Sequence, residues 1–385
     1  MTILFSALAT VEYDGFNYFC NEIRASLDRY KKCGDKIICL AHLRNVQTSK
    51  HDPINMDGVE FVFIHKINTP HSLLMEKHLN GDVIENAVKR SHLCITHVYS
   101  THASMVLHYA KKCKKPCVNV VVGDPWDSFW NYSIAGKLIA PFAYYSLKRM
   151  QRLAKYSIYV TNEYLQRRYP TPGESIACSN VDMITGDPSA LSKRKEWIEK
   201  QDHNRYKIAT LAALNVRYKG QEYVIKALNK LRLQGINDFE YHLAGGGDDS
   251  YLRSLIEKYH LSDCVYIHGS IPHSEITAFL DGIDIYIQPS KQEGLPRALI
   301  EAMSRGCLCL GSKVAGIPEL LDPDYIFPAG NFKSISQKLS GITKKKMFEQ
   351  ADRNFAEAKL YDKRILDNRR KDFLMKIINK TNEEQ

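Results

Sequence analysis

Short apolar runs rich in β-branched residues alternate along this chain with longer stretches whose apolar residues recur every three or four positions. The first rhythm predicts buried strands and the second amphipathic helices. In the first half, residues 3–9, 36–40, 59–64, 93–98, 117–122 and 157–160 read as strands. Residues 17–31, 82–90, 104–112 and 140–155 read as helices. A polar stretch from Asn180 to Asn204 interrupts the rhythm; it holds Asp187-Pro188 and the charged run 193–203, and reads as a linker with a short helix. The alternation then restarts, with strands at 207–212, 240–244, 265–268, 283–288 and 307–311 and helices at 221–234, 250–259, 274–281 and 295–305. A charged helical tail begins near Lys344. Strand–helix alternation predicts parallel sheets covered on both faces. The expected architecture is α/β: two tandem doubly wound Rossmann-like domains, 1–180 and 205–343, joined by the linker 181–204 and followed by the tail 344–385. Ligands of such folds bind beyond the carboxyl ends of the strands, here in a cleft between two facing domains.

Composition narrows the class. At 385 residues, 44% hydrophobic and 25% charged, the chain can build two ordinary cores without disulfide or metal staples. No run of about 18 apolar residues predicts a membrane-spanning helix. The start lacks a basic segment, carries Glu12 and Asp14 early, and reads as a strand rather than a signal peptide. The ten cysteines are scattered, often inside apolar runs, with no CxxC pair. They are expected to be free thiols in a reducing cytoplasm, and no metal site is expected.

The net charge of +10 is uneven: residues 1–180 hold 22 Lys and Arg against 15 Asp and Glu. Basic spots lie at Lys111, Lys112, Lys114 and Lys115, at Lys148, Arg149, Arg152 and Lys155, and at Arg167 and Arg168. They read either as solvated helix faces or as attraction to an anionic surface, phospholipid headgroups or a polyanionic substrate. No nucleic-acid-binding pattern accompanies them. No G-x-G-x-x-G follows the first strand, which argues against a dinucleotide dehydrogenase.

The stretch DIYIQPSKQEGLPRALIEAM, from Asp284 to Met303, carries the chemistry. A strand ends near Gln288, Pro289 and Ser290 turn the chain, and Glu293-Gly294 is expected to open a helix. The amides of Gly294 and Leu295 at that helix mouth would form an anion site, which glycine lets a ligand approach closely. Eight residues at about 100° each bring Glu301 to within about 80° of Glu293, two turns deeper. Two acids so placed can grip two hydroxyl-bearing parts of one ligand with a phosphate between them.

This block resembles the E-x7-E signature of retaining, GT-B-fold glycosyltransferases of family 4. Other stretches match in order and spacing: Asn215 to Gly220, with Arg217 and Lys219, as the basic loop; Leu243 to Asp248, with Gly245, Gly246 and Gly247, as a strand-end glycine turn; Val265 to Pro272, with Gly269 and Ile271, as a strand and its loop; and Gly316 to Leu320. The match covers about residues 205–330.

The resemblance implies a last helix crossing back to the N-terminal, acceptor-binding domain. It implies that Glu293 contacts the transferred sugar and that Glu301 holds the nucleotide ribose. Lys219 with Arg217 would neutralise the departing diphosphate, helped by the amides of Gly294 and Leu295, while Pro296, Gly245, Gly246 and Ile271 would surround the rest of the donor. Family members usually carry an arginine where Leu214 stands, so either Arg217 substitutes or Lys219 acts alone. In the first domain Gly15 is a donor-phosphate loop or a plain turn. Asp124 contacts a sugar or acceptor hydroxyl, or only caps the helix before which it stands. His97 reads as a core residue.

The implied activity is transfer of a sugar from a nucleoside diphosphate donor to a hydroxyl of a glycan or lipid-linked glycan, in bacterial capsule, exopolysaccharide or lipopolysaccharide synthesis. It would need no metal or other cofactor, involve no nucleic acid, and take place in the cytoplasm at the inner membrane face. A nucleotide-sugar epimerase of the same fold and a non-catalytic nucleotide-sugar-binding subunit are the alternatives.

Overall fold

The computed structural model describes residues 1–67, 75–200 and 205–383; the end of the expected linker, 201–204, lies outside them. The chain forms two compact units. The first comprises Met1–Pro125, Pro141–Cys178 and Asp367–Gln385, and the second Trp126–Ala140 and Ser179–Leu366.

The first unit is built on a sheet of β1 (Thr2–Tyr13), β2 (Tyr18–Phe19), β3 (Lys36–Asn45), β4 (Val59–Phe63), β5 (Leu93–Val98), β6 (Cys117–Val121), β7 (Tyr156–Tyr159) and β8 (Glu174–Ala177). The order is β4-β3-β1-β5-β6-β7-β8, parallel throughout, with β2 folding back antiparallel on β1. Its helices are α1 (Asn21–Lys31), α2 (Glu76–Lys89) and α3 (Thr101–Lys112), then α4 (Pro125–Trp130), α5 (Ile134–Leu153) and α6 (Tyr164–Arg168). Of these, α4 and the start of α5 fall in the second unit. Ile84 and Val88 of α2 and Val106 and Tyr109 of α3 pack on Leu4, Ile38 and Cys94 of the sheet. Such continuous apolar strands are what a two-sided parallel sheet requires.

The second unit repeats the plan with α7 (Pro188–Lys200), β9 (Tyr206–Leu211), α8 (Gln221–Leu233), β10 (Phe239–Ala244), α9 (Ser250–Lys258), β11 (Val265–Gly269), α10 (Ile276–Asp281), β12 (Ile285–Gln288), α11 (Arg297–Ser304), β13 (Leu308–Ser312), β14 (Ile326–Phe327), α12 (Phe332–Ser340) and α13 (Lys344–Ala358). Its parallel sheet runs β11-β10-β9-β12-β13-β14. A chain of hydroxyls ties its centre: Tyr241 donates to Thr210 Oγ1 at 2.8 Å, and Thr210 donates to the Ile287 carbonyl at 2.8 Å.

Three segments depart from the expected boundaries. The stretch expected as a linker belongs to the second unit, because the buried Arg194 of α7 donates to the carbonyls of Arg305, Ile283 and Leu280 at 2.6–2.9 Å. A fully buried guanidinium needs several acceptors at once, and these carbonyls supply them. Residues 126–140 also belong to that unit: Gln292 donates to Ser128 Oγ at 3.0 Å. The tail divides at Asp367. Helix α14 (Lys363–Glu383) packs on the first sheet, with Phe373 edge-on to Tyr156 and Lys376 and Lys380 paired to Glu174 at 2.7 and 3.0 Å. All ten cysteines are free and most are buried. His97 sits in the first core against Phe5, and burial pushes its imidazole down to about 3. Among the described residues no helix is long and apolar enough to cross a membrane.

Candidate active site at the second sheet's switch point

In the second sheet the chain order reverses between β9 and β12, the neighbours from which the other strands spread in opposite directions. Loops leaving two such strands diverge and open a crevice at their carboxyl ends. The loop after β9 carries Lys219 and the loop after β12 carries Glu293. The two side chains meet, Lys219 Nζ lying 2.7 Å from Glu293 Oε1.

The local sequence explains the meeting. Arg217–Lys219 form one 3-10 turn that ends at Gly220 with φ +76. A Cβ on Gly220 would stand 2.1 Å from the Pro289 carbonyl, so only glycine lets the two loops close. The Lys291 amide then donates to the Tyr218 carbonyl at 2.7 Å and locks the register.

Glu293 is held as firmly as Lys219 is aimed. Gln288 Nε2 and Ser290 Oγ donate to the same Oε1 at 2.9 and 2.7 Å. Tyr286 donates to Gln288 Oε1 at 2.8 Å, and Ser312 Oγ donates to the Ser290 carbonyl at 2.5 Å. Three donors thus converge on Oε1, while Oε2 makes no hydrogen bond among the described residues. That oxygen is left to accept from a ligand hydroxyl. Gln288, Ser290, Tyr286 and Ser312 were missed in the sequence because Gln and Ser beside a proline read as turn chemistry.

The helix after Glu293 begins later than expected. It runs Arg297–Ser304, with Pro296 at its N-cap. A residue before proline is driven out of the helical region and Pro296 has no amide, so Leu295 stays outside the helix. The amides at the helix mouth are therefore those of Arg297 and Ala298, not of Gly294 and Leu295. Gly294 instead accepts from the Gly316 amide at 3.0 Å, which brings the Gly316–Leu320 loop to the site. Glu301 is one turn into the helix, and Glu293 lies outside it.

The two acids still share a neighbourhood, since both act electrostatically on the buried Tyr286 phenol. Glu301 lines a hollow of about 330 Å³ with His273, Thr277 and Arg305. Burial raises its carboxyl above the ordinary range, against the pull of Arg297 and His273.

Gly245, Gly246 and Gly247 let the exits of β9, β10 and β11 converge. A Cβ would meet the Ala212 carbonyl at 1.9 Å, Ser270 Oγ at 2.7 Å and Asn215 Oδ1 at 2.5 Å respectively. Ile271 follows directly, after Gly269. Arg217, by contrast, turns away from Lys219: it donates to the Tyr251 hydroxyl at 2.7 Å, stacks 4.2 Å over that ring, and lies 3.7 Å from Glu222. Leu214 is a core residue.

In the first unit the expectation for Asp124 needs correction. Its side chain is 1% exposed. Tyr164 donates to Oδ2 at 3.0 Å, the Tyr169 hydroxyl donates to Oδ1, and Arg168 pairs with Oδ2. Burial and then the Asp124 bond push the Tyr169 phenol above its ordinary value. A buried carboxylate must find donors, and the basic, aromatic segment after β7 supplies them. Asp124 thus has both oxygens engaged and no face for a sugar. Gly15, with φ +101, sits in the turn between β1 and β2, where Asp14 Oδ1 accepts from the amides of Phe16 and Asn17 at 2.9 and 2.7 Å. Among the described residues no cluster of His, Cys, Asp or Glu could hold a metal.

Residues 193–359, the stretch that builds this crevice, match the family model of glycosyl transferases group 1. Protein CapJ of Staphylococcus aureus is 28% identical over 304 residues, covering 78% of this chain and 75% of its own. The amylovoran biosynthesis glycosyltransferase AmsK of Erwinia amylovora is 35% identical over 144 residues, and the match spans 35% of each chain. The crystal structure of Anabaena HepE in complex with UDP superposes with a TM-score of 0.68 at 17% identity, covering 98% of this chain and 100% of that one. At that identity the likeness concerns the fold alone. Family model, relatives and fold agree with the crevice geometry: residues 193–359 match the group 1 glycosyltransferases, and the chain has the GT-B fold.

Proposed function

We propose that this enzyme moves a sugar from a nucleoside diphosphate donor, with retention at the anomeric carbon, to a hydroxyl of a glycan or lipid-linked glycan during bacterial surface-polysaccharide synthesis. The Lys219–Glu293 contact at the switch point carries the reading. The bond from the anomeric carbon to the diphosphate breaks while the acceptor oxygen bonds to that carbon on the same face; the acceptor's proton passes to the departing phosphate, on which negative charge grows. Lys219 supplies a preorganised cation for that charge, and Glu293 orients the ammonium through Oε1 while Oε2 accepts from a sugar hydroxyl. Glu301 accepts from the ribose hydroxyls. The glycine turn and Ile271 flank the nucleotide, and Pro296 sets the helix whose first amides face the anion. No resident metal or other cofactor has a part in these roles.

The biosynthetic setting rests on AmsK, named for amylovoran biosynthesis, and the donor class on the UDP bound by HepE. A lipid-linked acceptor would bring the enzyme to the inner face of the cytoplasmic membrane.

Incubation with a panel of nucleotide sugars, alone and with a glycan acceptor, tests this. Slow release of nucleoside diphosphate from one donor, accelerated by acceptor, is the expected result. Interconversion of donor sugars without diphosphate release would replace the reading with epimerisation, and saturable binding without turnover would make the chain a binding subunit.

A further inference from the structure

We infer that the α3–α5 face of the first unit is a docking surface for an anionic phospholipid bilayer. The inference makes the membrane contact proposed above specific, but stands on its own observations.

Helix α5 already buries one face, with Ala143, Leu147 and Met150 in the core. A helix of a globular unit ordinarily shows water a polar opposite face. Here the outward side carries Phe142 at 77% exposure, Tyr145 at 67% and, at the end, Leu153 at 61%. Positions 142, 145, 149 and 152 follow one another at intervals of three and four and so share one line along the helix. That line passes from two aromatic rings to two guanidinium groups, Arg149 and Arg152.

Beside it, between α3 and α5, lies a hollow of about 640 Å³. Leu107 and Met150 give it apolar walls, and Lys111, Lys115, Arg149 and Lys155 line it without any carboxylate.

The bland alternative is a solvated basic face, and the rest of the unit shows what that looks like. Lys112 and Lys89 share Glu85, each at 2.9 Å, and Lys376 and Lys380 share Glu174. By contrast, Lys111, Lys115, Arg149 and Arg152 pair with no carboxylate among the described residues. Cations left without acids beside exposed rings match the two layers of a membrane surface: phosphate headgroups for the charges, the headgroup–acyl boundary for the rings. A soluble anion would use the cations and leave Phe142 and Tyr145 unexplained.

Co-sedimentation of the full chain with vesicles tests the inference. Binding to vesicles of phosphatidylglycerol mixed with phosphatidylcholine is expected, with much weaker binding to phosphatidylcholine alone and weakening by salt. Each cation near such a surface is worth about five-fold in partitioning, so R149E/R152E should lower binding by about 30-fold or more. F142S/Y145S should lower it on the same vesicles, while both variants keep the parent's thermal transition because all four side chains are exposed. Release of diphosphate from donor in solution, read in parallel, should be unchanged, so loss of vesicle binding and failure of the transfer reading remain distinct outcomes. Absence of binding to the mixed vesicles, equal binding to both vesicle types, or indifference to the variants would overturn it. So would a dimer on sizing that these variants split without any effect on vesicle binding, since a second copy would then occupy the face.

Discussion

Both units gather polar side chains near the carboxyl ends of parallel strands, but they treat their acids in opposite ways. In the second unit three donors crowd one oxygen of Glu293 and leave the other open. In the first, Tyr164, Tyr169 and Arg168 occupy both oxygens of Asp124, which is 1% exposed. One acid keeps an oxygen free, the other is consumed by the fold. An acid at the end of a strand is therefore not by itself a catalytic group; what matters is whether its partners leave a lone pair free.

The largest effect should come from the consumed acid and should appear in stability. Asp124→Ala leaves the buried Tyr169 hydroxyl, the Tyr164 hydroxyl and the half-buried Arg168 without their acceptor. Each buried donor left unsatisfied costs roughly 1–3 kcal/mol, and the partly solvated Arg168 less, so a loss of about 3–5 kcal/mol is expected. Urea unfolding followed by tryptophan fluorescence should show that loss, with turnover per folded molecule preserved. A variant of parental stability and lost turnover would place Asp124 among the substrate contacts.

Next comes the open site, where the effect should be kinetic. Lys219→Ala should lower turnover by about 10²–10³-fold, the range for one lost transition-state donor, with little change in unfolding. Glu293→Gln tests the same contact from the other side: it keeps the shape, loses the charge that aims the ammonium, and should slow turnover in the same direction. Equal kinetics in all three proteins would dissolve the site.

In both regions the sequence carries plainly what is local. Strand and helix periods lie within a dozen residues, so the two rhythms and their break near Asn180 showed in the pattern. Lys219 and Glu293 stood out by residue type and motif. What binds them did not: Gly220 fits against the Pro289 carbonyl 69 residues away in sequence, and that approach depends on the pairing of β9 with β12. The clasp on Asp124 comes from Tyr164 and Tyr169, 40 and 45 residues along the chain. Glu293-Gly294 resembles a helix opening, but Pro296 keeps α11 from beginning before Arg297. Strand β8 was passed over because four residues, one of them Glu174, show too little alternation.

Glu301 refines the contrast at an intermediate scale. Its carboxyl is raised by burial, so the folded state holds the proton more tightly than the unfolded chain does. Ionisation as pH rises therefore costs stability, whereas accepting from ribose hydroxyls needs the ionised form. Donor affinity should fall as pH drops through a value above the ordinary glutamate range. Glu301→Gln should weaken donor binding by roughly 1–3 kcal/mol, the cost of an imperfectly met polar contact, and flatten that pH dependence. Calorimetric titration across pH measures both; an unchanged inflection in the variant would assign it to another group.

The smallest effect distinguishes the two cations of one loop. Arg217 and Lys219 are two residues apart, yet only Lys219 reaches Glu293. Arg217 is stacked on Tyr251 and near Glu222, with its side chain 67% exposed. An exposed cation–ring contact is worth about 0.5–1 kcal/mol. Arg217→Ala should therefore change turnover by about five-fold or less if the guanidinium stays with the partner it is already turned to. If Arg217→Ala instead matched Lys219→Ala, the guanidinium would have to leave Tyr251 when donor binds. Tyr251→Phe would then separate the cases: removing the hydroxyl that accepts from Arg217 at 2.7 Å should raise donor affinity if release of the arginine limits binding, and leave it unchanged if Lys219 acts alone.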